Sequence, residues 1–226
     1  MIPWTLEGRA LIPGGRDELL LWRRGDEFSI RIRGYVSELM NSRVHGSEEQ
    51  LARLGCAPLQ GRPNPHVLIG GLGMGYTLAA ALQALPGDAR VTVAELVPEV
   101  VEWNQGDLGA CAGRPLEDRR VEVAQGDVAR LLRSGPPRYD AVLLDVDNGP
   151  ESMTHKDNDW LYSLAGLQAT RQVLTPGGVL AVWSAAPDDR FTARVRRAGY
   201  TVEVHAVRAR AGGKGARHTV WVARRP

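Results

Sequence analysis

The sequence lacks most features that would mark a secreted, membrane-spanning or metal-binding protein. It has only two cysteines, Cys56 and Cys111, outside any CxxC or Cys/His ligand spacing, so we interpret them as buried thiols and expect no metal. No apolar run approaches the ~20 residues that a membrane span needs. The first residues do not combine a basic segment with an apolar one, so we predict no signal peptide and a cytoplasmic location.

Net charge is also small. The 226 residues carry a formal charge of +2, and 43% of them are hydrophobic, which is the composition of an ordinary globular protein. The charges are unevenly placed, because six acidic residues between Asp140 and Trp160 face a single lysine, Lys156. The stretch from Arg190 onward is basic, but it lacks the interleaved aromatic residues of a nucleic-acid platform, so we do not expect a nucleic-acid partner.

From residue 66 onward, short apolar runs alternate with helical stretches. This pattern is typical of βαβ units and of a parallel sheet covered on both faces. Two β-rich runs near the end, Tyr200–Val207 and His218–Ala223, predict a closing antiparallel hairpin. The five strand candidates before them are His66–Gly70, Arg90–Glu95, Arg120–Ala124, Tyr139–Asp145 and Gly178–Ser184.

The segment before residue 63 reads differently. Residues 18–33 predict a β-hairpin around Gly25, and Ser47 to Gln50 has the form of a capping box that opens a short helix ending at Gly55. Pro63 and Pro65 then mark a boundary. We therefore predict a small N-terminal unit over residues 1–62 and an α/β domain over residues 63–226.

Distinctive residues follow four of the predicted strands, at the carboxyl ends where open α/β sheets bind ligands. The first strand runs into a loop with Gly71, Gly73 and Gly75, where the backbone can approach a ligand with no Cβ in the way. Tyr76 stands where the dinucleotide fingerprint needs glycine, which disfavours NAD and FAD, and no P-loop motif is present. The loop therefore predicts contact with some other ligand.

Two acidic residues follow the next two strands. Glu95 ends the second strand, where a carboxylate can accept two hydrogen bonds from a ribose diol. Gly126 and Asp127 follow the third strand, and Asp127 could either cap the next helix or accept a hydrogen bond from an adenine amino group. Together they favour a nucleoside ligand.

The fourth strand ends at Asp145, and Asp147 follows in a polar loop of about a dozen residues, the length of a lid or binding segment. The acids of this loop would attract a cationic substrate or a sulfonium centre. We therefore name Asp145 and Asp147 as candidate catalytic residues.

Taken together, these residues resemble a Rossmann-like class I S-adenosylmethionine-dependent methyltransferase fold and, within it, the spermidine synthase (aminopropyltransferase) family. The resemblance is carried by the glycine loop, by Val93 to Val101, by Gly126-Asp127 and by Tyr139 to Asp145, with Gly149-Pro150 as its most family-specific part. It implies a mostly parallel seven-stranded sheet with a C-terminal antiparallel hairpin.

The resemblance also implies roles. Glu95 would bind the ribose and Asp127 the adenine of S-adenosylmethionine or decarboxylated S-adenosylmethionine, and Asp145 would be the catalytic aspartate. The acceptor would be a small amine or another small molecule, and the family suggests a homodimer. The expected reaction is in-line transfer of an aminopropyl group from a sulfonium to an amine, with Asp145 orienting the amine and taking its proton.

Two positions depart from the family pattern and keep alternatives open. Met74 stands where the family usually has an aspartate, and Asn148 stands where it has a second carboxylate that binds the substrate amine. Asp147 is one residue away from that position. A methyltransferase acting on a small molecule, and a nucleoside-binding protein without catalysis, are the two alternatives.

Overall fold

The computed structural model describes residues 2–133, 135–136, 138–146, 159–210 and 214–226. The N-terminal unit is an antiparallel sheet of four strands in chain order. The predicted hairpin is present as its two central strands, and a further strand pairs on either side, so this unit is larger than the sequence indicated. The strands are β1 (Thr5–Leu11), β2 (Glu18–Arg24), β3 (Glu27–Ile32) and β4 (Glu38–Asn41).

Helix α1 (Gly46–Cys56) connects the small sheet to the rest of the molecule. It packs so closely on the large sheet that a Cβ at Gly55 would lie 2.3 Å from the Leu143 side chain and 3.0 Å from Ala181. The predicted capping box is wrong: His45 is the N-cap residue, and Ser47 lies inside the helix, where its hydroxyl bonds other side chains. One hydrophobic core runs from the small sheet through α1 to one face of the large sheet.

The large sheet has seven strands in the order β10-β11-β9-β8-β5-β6-β7. Strands β7, β6, β5, β8 and β9 are parallel to one another, β11 runs antiparallel to β9, and β11 and β10 form the predicted terminal hairpin. The predicted α/β architecture is therefore confirmed. The strands are β5 (His66–Gly70), β6 (Arg90–Glu95), β7 (Val121–Gln125), β8 (Tyr139–Leu144), β9 (Leu174–Ser184), β10 (Thr201–Arg210) and β11 (Lys214–Arg224).

Helices cover both faces of this sheet, as the continuous apolar strands predicted. A second core, which includes Trp221 and Phe191, fills the face opposite α1. The remaining helices are α2 (Tyr76–Ala84), α3 (Pro98–Gln105), α4 (Val128–Leu132), α5 (Asp159–Tyr162), α6 (Leu164–Val173) and α7 (Asp189–Arg197), with short 3₁₀ turns at Ala57–Leu59, Leu108–Ala112 and Pro115–Glu117.

The chain order reverses between β5 and β8, which lie side by side at the centre of the sheet. A crevice forms at such a point because the loops leaving the two strands go to opposite faces of the sheet. The loops after β5 and β8 carry the glycines and Asp145, so the topology brings these two predicted elements together. The division at residue 62 stays a prediction.

Candidate functional site

A cavity opens at the carboxyl edge of the large sheet and is closed on its other side by the N-terminal sheet and α1. Five of the six predicted cofactor-binding residues line it, and so does Asp145. Gly75 is the exception; it turns the chain into α2 instead. The lining residues used below are Ile12, Leu19, Ile30, Leu39, Met40, Glu48, Gly71, Leu72, Gly73, Met74, Tyr76, Thr77, Glu95, Gly126, Asp127, Asp145 and Trp183.

The glycine loop lies directly against the end of β8. At Gly71 the φ angle is +90°, and a Cβ would lie 2.4 Å from the carbonyl oxygen of Asp145. Only glycine combines that backbone conformation with that approach at little cost. Asn104 holds the loop from the other side by donating an Nδ2 hydrogen bond of 2.8 Å to the Gly73 carbonyl oxygen, a role the sequence analysis missed.

Glu95 ends β6 with its carboxylate fixed by the backbone. Oε2 accepts a hydrogen bond from the Leu72 N–H, and Oε1 accepts one from the Val97 N–H, each at 2.9 Å. Burial raises the pKa of Glu95, and the N–H groups of Val97 and Leu72 oppose that rise. Because each oxygen accepts one backbone bond and has a second lone pair, Glu95 can still receive two hydroxyl groups from the cavity.

Asp127 caps a helix and also lines the cavity. Its Oδ1 accepts the Ala129 N–H at 2.8 Å and so caps α4, while the residue also lines the cavity. Gly126 before it has a φ of +132°, which lets the chain turn from β7 into the helix beside the cavity. The two roles are compatible, because a capping carboxylate has a second oxygen.

Asp145 follows the last residue of β8, and its backbone N–H donates to the Gly70 carbonyl oxygen at 2.9 Å. Its side chain accepts a short hydrogen bond of 2.5 Å from the Thr77 hydroxyl. The surrounding protein shields the carboxyl from bulk solvent and raises the pKa of Asp145 to about 6, against the opposing effect of Thr77. A carboxyl with this pKa can exchange a proton near neutral pH.

Glu48, in the first turn of α1, is a second carboxyl in the same cavity, and the sequence analysis overlooked it. Burial and, after it, the charge of Asp145 raise the pKa of Glu48 to about 7. Its distance from Asp145 along the chain hides this relation, and the mistaken capping box had given the segment a purely structural role.

The other predicted catalytic residue, Asp147, lies outside the described residues, as do Asn148, Gly149 and Pro150. In the ranges that are described, no three His, Cys, Asp or Glu side chains gather as a metal site would require. Within those same ranges no helix is long and apolar enough to cross a membrane. Cys56 is buried as predicted, whereas Cys111 is only partly buried.

The fold and the site together define a class: a Rossmann-like, class I methyltransferase-type α/β fold with a glycine loop and acidic residues at its switch point. No protein-family model matches the sequence. Individual proteins do match. The chain is 31% identical over 140 residues to polyamine aminopropyltransferase 1 of Streptomyces coelicolor, which covers 58% of this chain and 24% of that protein.

A second relative and a solved structure point the same way. Polyamine aminopropyltransferase 2 of Pseudomonas aeruginosa is 31% identical over 163 residues, covering 65% of this chain and 42% of that protein. A crystal structure of spermidine synthase in complex with the transition state analogue AdoDATO has a TM-score of 0.73 at 18% identity, covering 98% of this chain and 72% of that one. The chain is thus similar in sequence to polyamine aminopropyltransferases and in fold to a spermidine synthase, and it spans less than half the length of both relatives.

Proposed function

We propose that this chain is an aminopropyltransferase of the spermidine synthase kind, which moves an aminopropyl group from decarboxylated S-adenosylmethionine to a small amine. The names of its relatives and the fold of the solved spermidine synthase support this assignment. A homodimer is the expected assembly on the same resemblance.

One observation carries the proposal. Glu95, Asp127 and Asp145 come from the ends of three different strands, yet they line a single cavity with the glycine loop between them. This arrangement fits an adenosyl donor, because Glu95 offers acceptors for a ribose diol and Asp127 offers one for an adenine amino group. Asp145 then lies on the side of the glycine loop where the reacting end of the donor would reach.

The chemistry asks the protein mainly to hold two partners in line and to exclude water. The donor supplies a carbon already activated by its positive sulfonium neighbour. The acceptor must reach that carbon as a neutral amine, since an ammonium nitrogen has no lone pair. In this proposal Asp145 takes the proton, which is supported by its position in the cavity and by the Thr77 hydroxyl that orients its carboxyl.

Product analysis tests the proposal. The purified protein is incubated with decarboxylated S-adenosylmethionine or with S-adenosylmethionine, in each case with a panel of small amines, and the sulfur product is identified by mass spectrometry. Methylthioadenosine is the expected product. S-adenosylhomocysteine would show methyl transfer instead, and tight binding of methylthioadenosine without any turnover would show a nucleoside-binding protein that has lost catalysis.

A further inference from the structure

Two carboxyls line the cavity, and neither has a basic partner in the part of the chain that the structure describes. Among the ion pairs of the described residues, none involves Glu48 or Asp145. Thr77 contacts both residues: its hydroxyl is 2.5 Å from Oδ2 of Asp145 and 3.4 Å from the backbone carbonyl oxygen of Glu48. Two acids held together in a shielded space are costly when both are ionised, and a cation between them removes that cost.

We propose that Glu48 is the second carboxylate of the acceptor site, where it and Asp145 together bind the ammonium group of the acceptor amine and receive its proton. This inference rests on the proposed aminopropyl transfer. The family pattern has its second carboxylate at the position of Asn148, and in this proposal Glu48 of helix α1 supplies that carboxylate instead.

Glu48 is held in place by its neighbours. The buried Ser47 hydroxyl donates a 2.6 Å hydrogen bond to Oε2 of Glu48, and Nδ1 of His218 lies 2.8 Å from the same hydroxyl oxygen. Since the single hydroxyl proton goes to Glu48, His218 donates from Nδ1. His218 in turn meets the cavity-lining Trp183 edge to face, at 4.8 Å between ring centroids. The carboxyl is therefore oriented by a chain of contacts that reaches β11.

The nearest basic side chain to Glu48 is engaged elsewhere. His45 favours the ionised form of Glu48, but its Nδ1 lies 2.8 Å from Oε1 of Glu49. The same His45 ring stacks on Tyr76, whose phenol donates to the Ser42 carbonyl oxygen. Among the described residues that line the cavity there is no Lys, Arg or His that would compete with an incoming ammonium group.

Apolar side chains next to the acid pair indicate what kind of amine fits. Ile12, Leu19, Ile30 and Leu39 of the N-terminal sheet line the same cavity. Such a wall favours the methylene groups of an alkyl chain, while the two carboxyls select for the charged end. The acceptor class is therefore a linear alkyl amine that arrives protonated.

Proton and electron balance are simple. The ammonium gives one proton to the carboxyl pair, and the neutral nitrogen forms a bond to the carbon next to sulfur. The carbon–sulfur bond breaks with its electron pair left on sulfur, which becomes a neutral thioether. The new secondary amine keeps a positive charge, and the proton on the pair leaves to water, so each turnover releases one proton.

The test compares Glu48→Gln with Glu49→Gln, its neighbour that pairs with His45 and Arg53 outside the cavity. Binding of 1,4-diaminobutane is measured by calorimetry with methylthioadenosine present. For Glu48→Gln we expect at least about tenfold weaker diamine binding, because a charge-assisted contact is lost. Affinity for methylthioadenosine should change less than about twofold. Unchanged diamine binding in Glu48→Gln, or equal loss in both variants, would overturn the inference.

A pH profile separates this role from a merely structural one. In Glu48→Gln the ionisation of Glu48 near pH 7 is removed, so the acid limb of kcat/KM for the amine moves to lower pH. Glu48→Asp should restore part of the diamine affinity and the wild-type limb. A limb that does not move in Glu48→Gln would contradict the acid pair, and circular dichroism verifies that both variants fold.

Failure of this inference can be distinguished from failure of the proposed function. If wild-type protein gives no methylthioadenosine from any donor, the aminopropyltransferase assignment fails. Diamine binding that depends on Glu48 but not on Glu49 would even then establish the acid pair as an amine site.

Discussion

Two pairs of acidic residues in the cavity are held by different means. Glu95 is fixed by two backbone N–H groups and Asp127 by one. Glu48 of α1 and Asp145 at the end of β8 are each held by a side-chain hydroxyl instead. The first pair is thus part of the backbone hydrogen-bond network, whereas the second consists of side chains that meet across the cavity.

This difference separates recognition from chemistry. A carboxylate held by backbone donors keeps one position, which suits the binding of a nucleoside. A carboxyl pair with raised pKa values gains and loses protons near neutral pH, which suits a reaction that must remove one. Substitutions at these residues can show whether nucleoside binding and proton removal depend on different carboxyls.

The largest effect is expected at Asp145. Asp145→Asn keeps an acceptor for the Thr77 hydroxyl but loses the base, so kcat should fall by about 1000-fold while methylthioadenosine affinity changes by less than about threefold. Steady-state kinetics and calorimetry measure the two quantities. The exposed Asp189, changed to asparagine, serves as the control. Retained turnover in Asp145→Asn would remove this residue from the mechanism.

Glu95 should give the opposite pattern. Glu95→Gln places an amide NH₂ against the N–H of Leu72 or Val97 and loses an acceptor for the ribose, so methylthioadenosine should bind about 100-fold more weakly. The exposed Glu122 on β7, changed to glutamine, should have no such effect. If Glu95→Gln bound the nucleoside normally and instead lost amine affinity, Glu95 would belong to the amine site and not to the nucleoside site.

Gly71 tests the contact between the glycine loop and the end of β8. In Gly71→Ala the new Cβ meets the Asp145 carbonyl oxygen at a φ of +90°, so we expect a loss of about 2 kcal/mol or more in the free energy of unfolding. Urea denaturation measures it. Gly87→Ala is the matched control, because a Cβ there meets nothing within 4 Å. Equal stability of the two variants would mean that the loop does not press against β8.

The smallest effect concerns stability and pH. A carboxyl whose pKa is raised in the folded state stabilises the fold below its unfolded pKa, and this contribution is lost as pH rises through its folded pKa. For Glu48 that loss ends near its pKa of about 7. Between pH 4.5 and pH 8, the free energy of unfolding of the wild-type protein should therefore fall by about 1 kcal/mol more than that of Glu48→Gln, as measured by urea unfolding at both pH values. An equal fall in the two proteins would argue against a coupled pair.

Prediction from sequence succeeded where the signal was local. His66–Gly70 and Arg90–Glu95 were placed at their observed limits, because a buried parallel strand is a short apolar run bounded by polar residues. It failed where the structure of a segment depends on contacts with residues far away in the sequence. The fifth strand was predicted to begin at Gly178, yet β9 begins at Leu174, which pairs with Tyr139 before a shift in register.

The amino-acid sequence by itself determined the α/β class, the glycine loop and the acidic residues at the strand ends, since the alternation of apolar runs, glycines and polar ends is written along the chain. Only the tertiary structure decided that Glu48 faces Asp145, ninety-seven positions later in the sequence. That meeting depends on how α1 packs against the sheet, and the charge of one group changes the proton affinity of another only when folding brings both into a shielded space.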